Sequence, residues 1–380
     1  MGNRDEGARA AAGAIAVAAL ALAGIAFALT PLAQRLDHAF VDQAWRTLRD
    51  FDVRSAPDDI VIVGIDEATL RSIPEPPGMW HAALGAALAR LAAQQPRAIG
   101  LAYPLPERSF ESVKPGVDRA LFDGLATAVE SGPLVAALGI DARTREARAI
   151  HTPYLALLGE SRLGLDLVAR DADGAARRYA LLVPTEDGGF PTLVARLCRA
   201  LERACDEGLI HYALGKPYTY VPLQNLLAMD DPLLLRRLFR DRIVLLGETR
   251  AYHDRIEVPV NLAAWESGAR TSPAVVVHAQ TLRTALAQAA PQPLPRPVPV
   301  VLVSLAALLF LMRDWRLAAV TALLAAGAGI AAAALALHAG TQVPIAAFLA
   351  SLALAPAARA FAARRRQPPP RAAPNIRHIP

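Results

Sequence analysis

Cysteine is nearly missing from this chain of 380 residues: Cys198 and Cys205 are all it has. Two cysteines make neither a disulfide framework nor a cysteine-ligated zinc cluster, so the fold must rest on a packed core. Aromatic residues are scarce at 6%, so the apolar fraction of 54% is built from Ala, Leu and Val. The motifs of common chemistries are absent as well. The chain has no Gly-rich phosphate loop, no G-x-S-x-G elbow and no H-E-x-x-H helix, which argues against nucleotide-hydrolysing, serine-hydrolase and zinc-protease mechanisms. His253, Asp254 and His278 supply two imidazoles and a carboxylate, but at no recognised metal-ligand spacing. A non-enzyme with no cofactor and no metal is the expectation.

What the chain has in quantity is uncharged apolar sequence, gathered at its two ends. No charged residue occurs from Ala10 to Gln34, and about 20 apolar residues suffice to span a hydrocarbon core. "AFA" at Ala26–Ala28 has the form of a signal-peptidase site, yet the run exceeds an ordinary signal core, which favours an uncleaved anchor. Near the other end, residues 297–312, 317–337 and 343–358 are three further uncharged stretches. Pro297, Pro299, Pro344 and Pro356 disfavour helix interiors, and Arg296, Arg313 and Arg359 can snorkel to lengthen short spans.

Short loops rich in Lys and Arg stay cytoplasmic. With residues 1–9 inside, residues 31–296 lie outside, "RDWR" (Arg313–Arg316) returns inside, "HAGTQ" lies outside, and the tail 359–380 with "RRR" ends inside. One anchor and three C-terminal spans satisfy the rule, and removing any one breaks it. The formal charge of +5 is thereby explained as a topological signal, and no nucleic-acid partner is expected. The Pro-rich tail reads as unstructured.

Between the spans, residues 36–290 alternate short apolar runs with amphipathic stretches. "IVIVGI" (60–65), "AIGLA" (98–102), "PLVAALGI" (133–140) and "DRIVLLG" (241–247) read as buried strands. "MWHAALGAALARLAAQQ", "VDRALFDGLATAVE" and "FPTLVARLCRALERAC" read as helices, and "AVVVHAQTLRTALAQ" as a strand running into a helix. The alternation predicts an α/β extracytoplasmic domain with a largely parallel sheet, flanked by one N-terminal and three C-terminal transmembrane helices. Cys198 and Cys205 fall seven apart on one predicted helix, about 10 Å along its axis. Free, packed thiols are expected there, with a disulfide as the alternative if the chain leaves the helix before Cys205.

Ligands of such sheets bind beyond the carboxyl ends of the strands. Asp66 follows the first strand, Glu248 follows "RIVLLG", and His278 follows "AVVV", so these three are candidate ligand-binding residues. Asp66 also suits the N-cap of "EATLRS", and that structural role is the stronger expectation for it.

The order of these segments resembles a known family. "DDIVIVGIDEATL", "HAALGAAL", "PRAIGLAYPLPE", "VDRALFDGLA", "DLVARDADGAARRY", "FRDRIVLLGETRAYHDRIEVPV" and "SPAVVVHAQTL" follow one another as in the bacterial CHASE domain of the second type. The resemblance covers Leu36 to Ala290 and the flanking spans, and implies an extracytoplasmic sensor named for its association with cyclases and histidine kinases. Asp66, Asp254 and His278 match the family pattern and are carried over as ligand-binding candidates. Two positions depart from it. "IPEPPGMWHAAL" lacks the usual arginine before the first long helix, and Ala102 stands where an acid is common.

After Ala358 about twenty residues remain, too few for an output domain, so relay to a separate output protein is expected. The partners expected are the lipid bilayer, that output protein and a second copy of the chain. The other reading is an envelope scaffold that uses the domain for protein contact.

Overall fold

The computed structural model describes residues 2–51, 53–57, 59–141, 146–185, 188–266 and 270–365. The chain divides into two units, Met1–Ala44 with Pro293–Pro380, and Trp45–Gln292. Thirteen α-helices are described. In chain order they are α1 (Gly2–Ala28), α2 (Pro31–Phe51), α3 (Glu67–Ser72), α4 (His81–Ala92), α5 (Val117–Ser131), α6 (Thr152–Leu158) and α7 (Leu193–Ala200). They continue with α8 (Leu223–Ala228), α9 (Pro232–Phe239), α10 (Ala274–Leu286), α11 (Pro297–Ala307), α12 (Trp315–His338) and α13 (Ala346–Arg365).

The second unit is built on six strands, β1 (Ile60–Ile65), β2 (Ala98–Ala102), β3 (Leu134–Leu138), β4 (Leu163–Leu165), β5 (Thr219–Pro222) and β6 (Ile243–Glu248). They pair in the order β4-β3-β2-β6-β1-β5 and every pairing is parallel. Every residue of β1, β2, β3 and β6 is buried. Strands covered on both faces read as continuous apolar runs, which is why these four were visible in the sequence. The two edge strands, β4 and β5, were not foreseen, because three or four residues carry no periodicity.

On one face, Val61, Val63, Ile99, Leu101, Val244 and Leu246 pack with α4, α5, α6, α8 and α9 in one core. Helices α4 and α5 touch backbone to backbone: a Cβ on Gly85 would lie 2.1 Å from the Ala120 carbonyl oxygen. Helices α7 and α10 cover the other face. The segment expected to begin as a strand at "AVVV" is helical from Ala274 onward. Val275, Val276 and Val277 are all buried, so tertiary burial outweighs the β preference of a valine run.

The expectation of free thiols is also corrected, because Cys198 and Cys205 are disulfide-bonded with Cα atoms 6.3 Å apart. Helix α7 stops at Ala200, and Glu202 takes a left-handed conformation (φ 55°) that turns the chain back. The helix-axis distance therefore does not apply.

In the first unit α13 packs on α1, α11 and α12. Gly24 of α1 allows a close crossing, since a Cβ there would meet Ser351 Oγ at 2.3 Å. The α13 N-terminus is capped from another helix: Asp37 of α2 accepts from the Ile345 and Ala346 amides at 2.7 and 2.8 Å. Among the described residues three helices are long and apolar enough to cross a membrane, Ala10–Ala28, Trp315–His338 and Ala346–Arg365, and Pro297–Leu311 is a shorter apolar helix. The N-terminal apolar helix ends at Ala28, and residues 31–34, counted with the anchor from sequence, open α2. Pro356 lies inside α13 without ending it. The tail expected to be unstructured over 359–380 is instead helical through Arg365, where α13 continues past the apolar stretch, and from 366 onward it lies outside the described residues.

Candidate functional site

Asp66 stands directly past β1 and begins α3. Its Oδ1 accepts from the Thr69 amide at 2.8 Å and from the Thr69 hydroxyl at 3.0 Å, and the Asp66 amide donates back to Thr69 Oγ1 at 3.4 Å. This is a reciprocal capping box. Its Oδ2 accepts from the Tyr220 hydroxyl at 3.1 Å. That hydroxyl also meets Thr249 Oγ1 at 3.1 Å, and the Tyr220 ring stacks on Trp265 with centroids 4.0 Å apart. Gly64 makes room for the tyrosine, because a Cβ there would come within 2.3 Å of its ring. Burial first, then the Asp66 carboxylate, push the Tyr220 phenol above its ordinary range, so it remains a donor at neutral pH. Glu67 is a partner for the loop after β6, accepting from the Ala251 amide at 2.7 Å.

The remaining candidates converge at the same carboxyl edge of the sheet. Glu248 is the last residue of β6 and is 8% exposed. Its carboxylate contacts the Arg250 guanidinium and lies 2.7 Å from His253 Nδ1. His278 was expected at a strand end. It sits instead in the second turn of α10, buried, with Nε2 2.7 Å from Asp166 Oδ1. Asp166 follows β4. The sequence reading missed it, although "LGL" followed by Asp repeats in miniature the pattern of "IVIVGI" followed by Asp66.

Asp254 completes the group from the loop after β6, in a left-handed conformation (φ 48°). Its surface is exposed, yet the protein crowded around its carboxyl raises its pKa. The Asp166 and Glu248 carboxylates add to that rise, against His278 and His253. Glu248, Asp254 and His278 are thus brought together with Asp166 and His253, while Asp66 faces Tyr220. A cleft of about 870 Å³ borders the group, with Asp166, Arg170, Asp254 and Ile256 in its lining. Tyr103, immediately past β2, also feels the group: burial, then the charge of Glu248, push its phenol up to about 12.

The "DADG" stretch and the arginines after it form a separate, structural unit. Arg177, 5% exposed, donates to Asp171 at 2.9 Å and to both Asp173 oxygens at 2.8 Å. Among the described residues no three His, Cys, Asp or Glu side chains are placed to hold a metal ion.

Carboxylates placed close together and beside histidines favour shared protons and bound hydrogen-bond donors over simple stability. A parallel α/β domain with such a group at the carboxyl edge of its sheet, on a chain with membrane-length apolar helices, is a receptor-like domain of a membrane protein. The chain belongs to the CHASE2 domain family, which matches residues 15–313. CHASE2 domains are extracytoplasmic sensor domains. None of the curated proteins and none of the solved structures compared with the chain matches it.

Proposed function

We propose that the protein is a non-enzymatic sensor of bacterial signal transduction in the inner membrane. Its α/β domain reads an extracytoplasmic cue at the carboxyl edge of the sheet, and its apolar helices relay the response to a separate output protein. The observation that carries this reading is the convergence of Asp166, Glu248, Asp254 and His278 from three separate segments, in a domain whose family is sensory. A fold has no structural need to hold the Asp254 carboxyl near two other acids, and perturbed groups of this kind gather at functional sites.

The arginine pattern supports a topology with both termini cytoplasmic. Three spans alone would put the basic end of α13 outside, against the positive-inside preference. Pro297–Leu311 supplies the fourth: at about 24 Å of helix it is short, and Arg296 and Arg313 at its ends can snorkel. The Cys198–Cys205 disulfide fits a domain on the oxidising side of the membrane.

Two measurements test the reading. Reporter fusions within residues 59–282 should report the outside, and fusions after Arg316 the inside; a cytoplasmic signal from the domain would overturn the topology. In a deletion strain complemented with Asp254→Asn, the transcript profile should follow the deletion rather than the wild type. A wild-type profile would remove the acid–histidine group from signalling.

A further inference from the structure

A second cavity of about 480 Å³ lies at the same carboxyl edge, past the end of β2 and at the start of α4. That volume suits a small metabolite. Trp80, Leu84, Leu105, Phe110 and Leu121 form an apolar part of its wall, and Tyr103, Glu107, Arg108 and Arg148 a polar part. One polar side chain in the lining is deeply buried. His81 is 1% exposed, and neither ring nitrogen makes a hydrogen bond. The nearest acid, Asp118, has Oδ1 3.6 Å from His81 Nε2, and Asp118 already accepts from the Ser109 hydroxyl at 2.6 Å and the Phe110 amide at 3.1 Å. Burial lowers the His81 pKa, against the opposing pull of Asp118 and of the Met79 carbonyl, which lies near the ring without forming a well-aligned hydrogen bond. At neutral pH the ring therefore offers one donor and one acceptor. A buried polar group left unpaired is costly, and a ligand that pairs with it removes that cost.

The charge around the cavity selects the ligand. Helix α4 has twelve residues, and no side chain caps its first turn, so its N-terminus carries unpaired amides and the positive end of the helix dipole. Arg108 and Arg148 line the rim with Glu107; Arg148 Nε and Glu107 stand 4.0 Å apart, a loose pairing that leaves the rim net positive.

We propose that this cavity binds a small organic acid with an aromatic or branched apolar body, its carboxylate toward the arginines and the α4 N-terminus and a polar atom on His81. The proposal rests on the sensor reading for its consequence, since it names the class of cue. Tyr103 lines this cavity and lies within the field of Glu248 and Arg250.

The test uses the full chain in lipid nanodiscs, titrated calorimetrically with phenylacetate, benzoate and isocaproate. Empty nanodiscs provide the correction for partition, and phenylacetamide serves as the uncharged counterpart. At least one acid should bind saturably and shift the His81 ring resonances. Arg148→Ala, or replacement of the acid by its amide, should weaken binding about tenfold, as loss of a charge-assisted contact does. Gly78 lines the cavity and has open space where a Cβ would sit, so Gly78→Phe should fold normally and abolish binding. Absence of saturable binding by all three acids, or unchanged binding to Gly78→Phe, overturns the proposal. Binding that Gly78→Phe abolishes without any change in the transcript profile would leave the site standing and overturn the sensor reading instead.

Discussion

At the scale of single residues, the two acids at the edge of the sheet separate by what surrounds them. Asp66 is a cap, and its test is stability. Asp66→Ala should cost about 1 kcal/mol, while Asp66→Asn should cost no more than a few tenths, because Asn caps about as well as Asp; thermal melts followed by tryptophan fluorescence would show the difference. Equal losses in both variants would mean that the charge, not the cap, matters. Asp254 works against the fold. Its pKa is raised in the folded chain, so the native state holds that proton more tightly than the unfolded state does. Its contribution to stability is therefore full below the ordinary carboxylate range and lost as pH climbs through the raised value. Asp254→Asn removes that loss, and Asn tolerates the left-handed backbone there. The variant should match the wild type in acid and exceed it at neutral pH by roughly 0.5 kcal/mol, a figure discounted for the exposure of the loop. A variant less stable than the wild type at neutral pH would refute the crowding argument.

At the scale of elements, the short helix α7 shows how one turn decides a covalent bond. With Glu202 left-handed, the chain doubles back and the Arg203 amide donates to the Cys198 carbonyl at 2.9 Å, which brings Cys205 to Cys198. The loop closed is small, so the bond should contribute about 2 kcal/mol by restricting the unfolded chain. A Cys198→Ser/Cys205→Ser variant should lose that much in denaturant unfolding, and the wild type should resist alkylation until it is reduced. Ready alkylation without reductant would restore the free-thiol expectation. Helix α10 carries the complementary lesson. Four residues of "AVVV" look like a strand, yet the following helix extends backward through them because every one of its first twelve residues is buried.

At the scale of the whole molecule, the small residues of α12 matter for how the apolar helices meet. Gly327 and Gly329 look alike in the sequence, but their surroundings differ. A Cβ on Gly329 would come within 2.7 Å of Phe348 of α13, whereas Gly327 has open space. Small residues let helices approach closely in a bilayer, so Gly327 is free to face a second copy or an output protein. Gly327→Leu should reduce recovery of a cross-linked homodimer or co-purifying membrane partner with the chain otherwise intact. Gly329→Leu should disturb the packing of α12 on α13 and lower thermal stability. Undiminished recovery with Gly327→Leu would take this face out of the relay.

The apolar helices, the parallel α/β class, the four central strands and the family are all legible in the residue pattern. Each of these is written as a long periodic or continuous apolar pattern, or as an ordered series of motifs, and burial on both faces enforces such patterns locally. The residue pattern also marked Glu248, Asp254 and His278 as candidates, and Asp66 as a cap. Which of them meet is set by the folding of distant segments onto one edge of the sheet. Asp166 and His278 are 112 positions apart, one just past an edge strand and the other on a helix whose start local pattern did not resolve. The cavity around His81 is likewise assembled from α4, α5 and the loop after β2. Such groups are joined by the order of strands in the sheet, a long-range pairing that no window of sequence encodes.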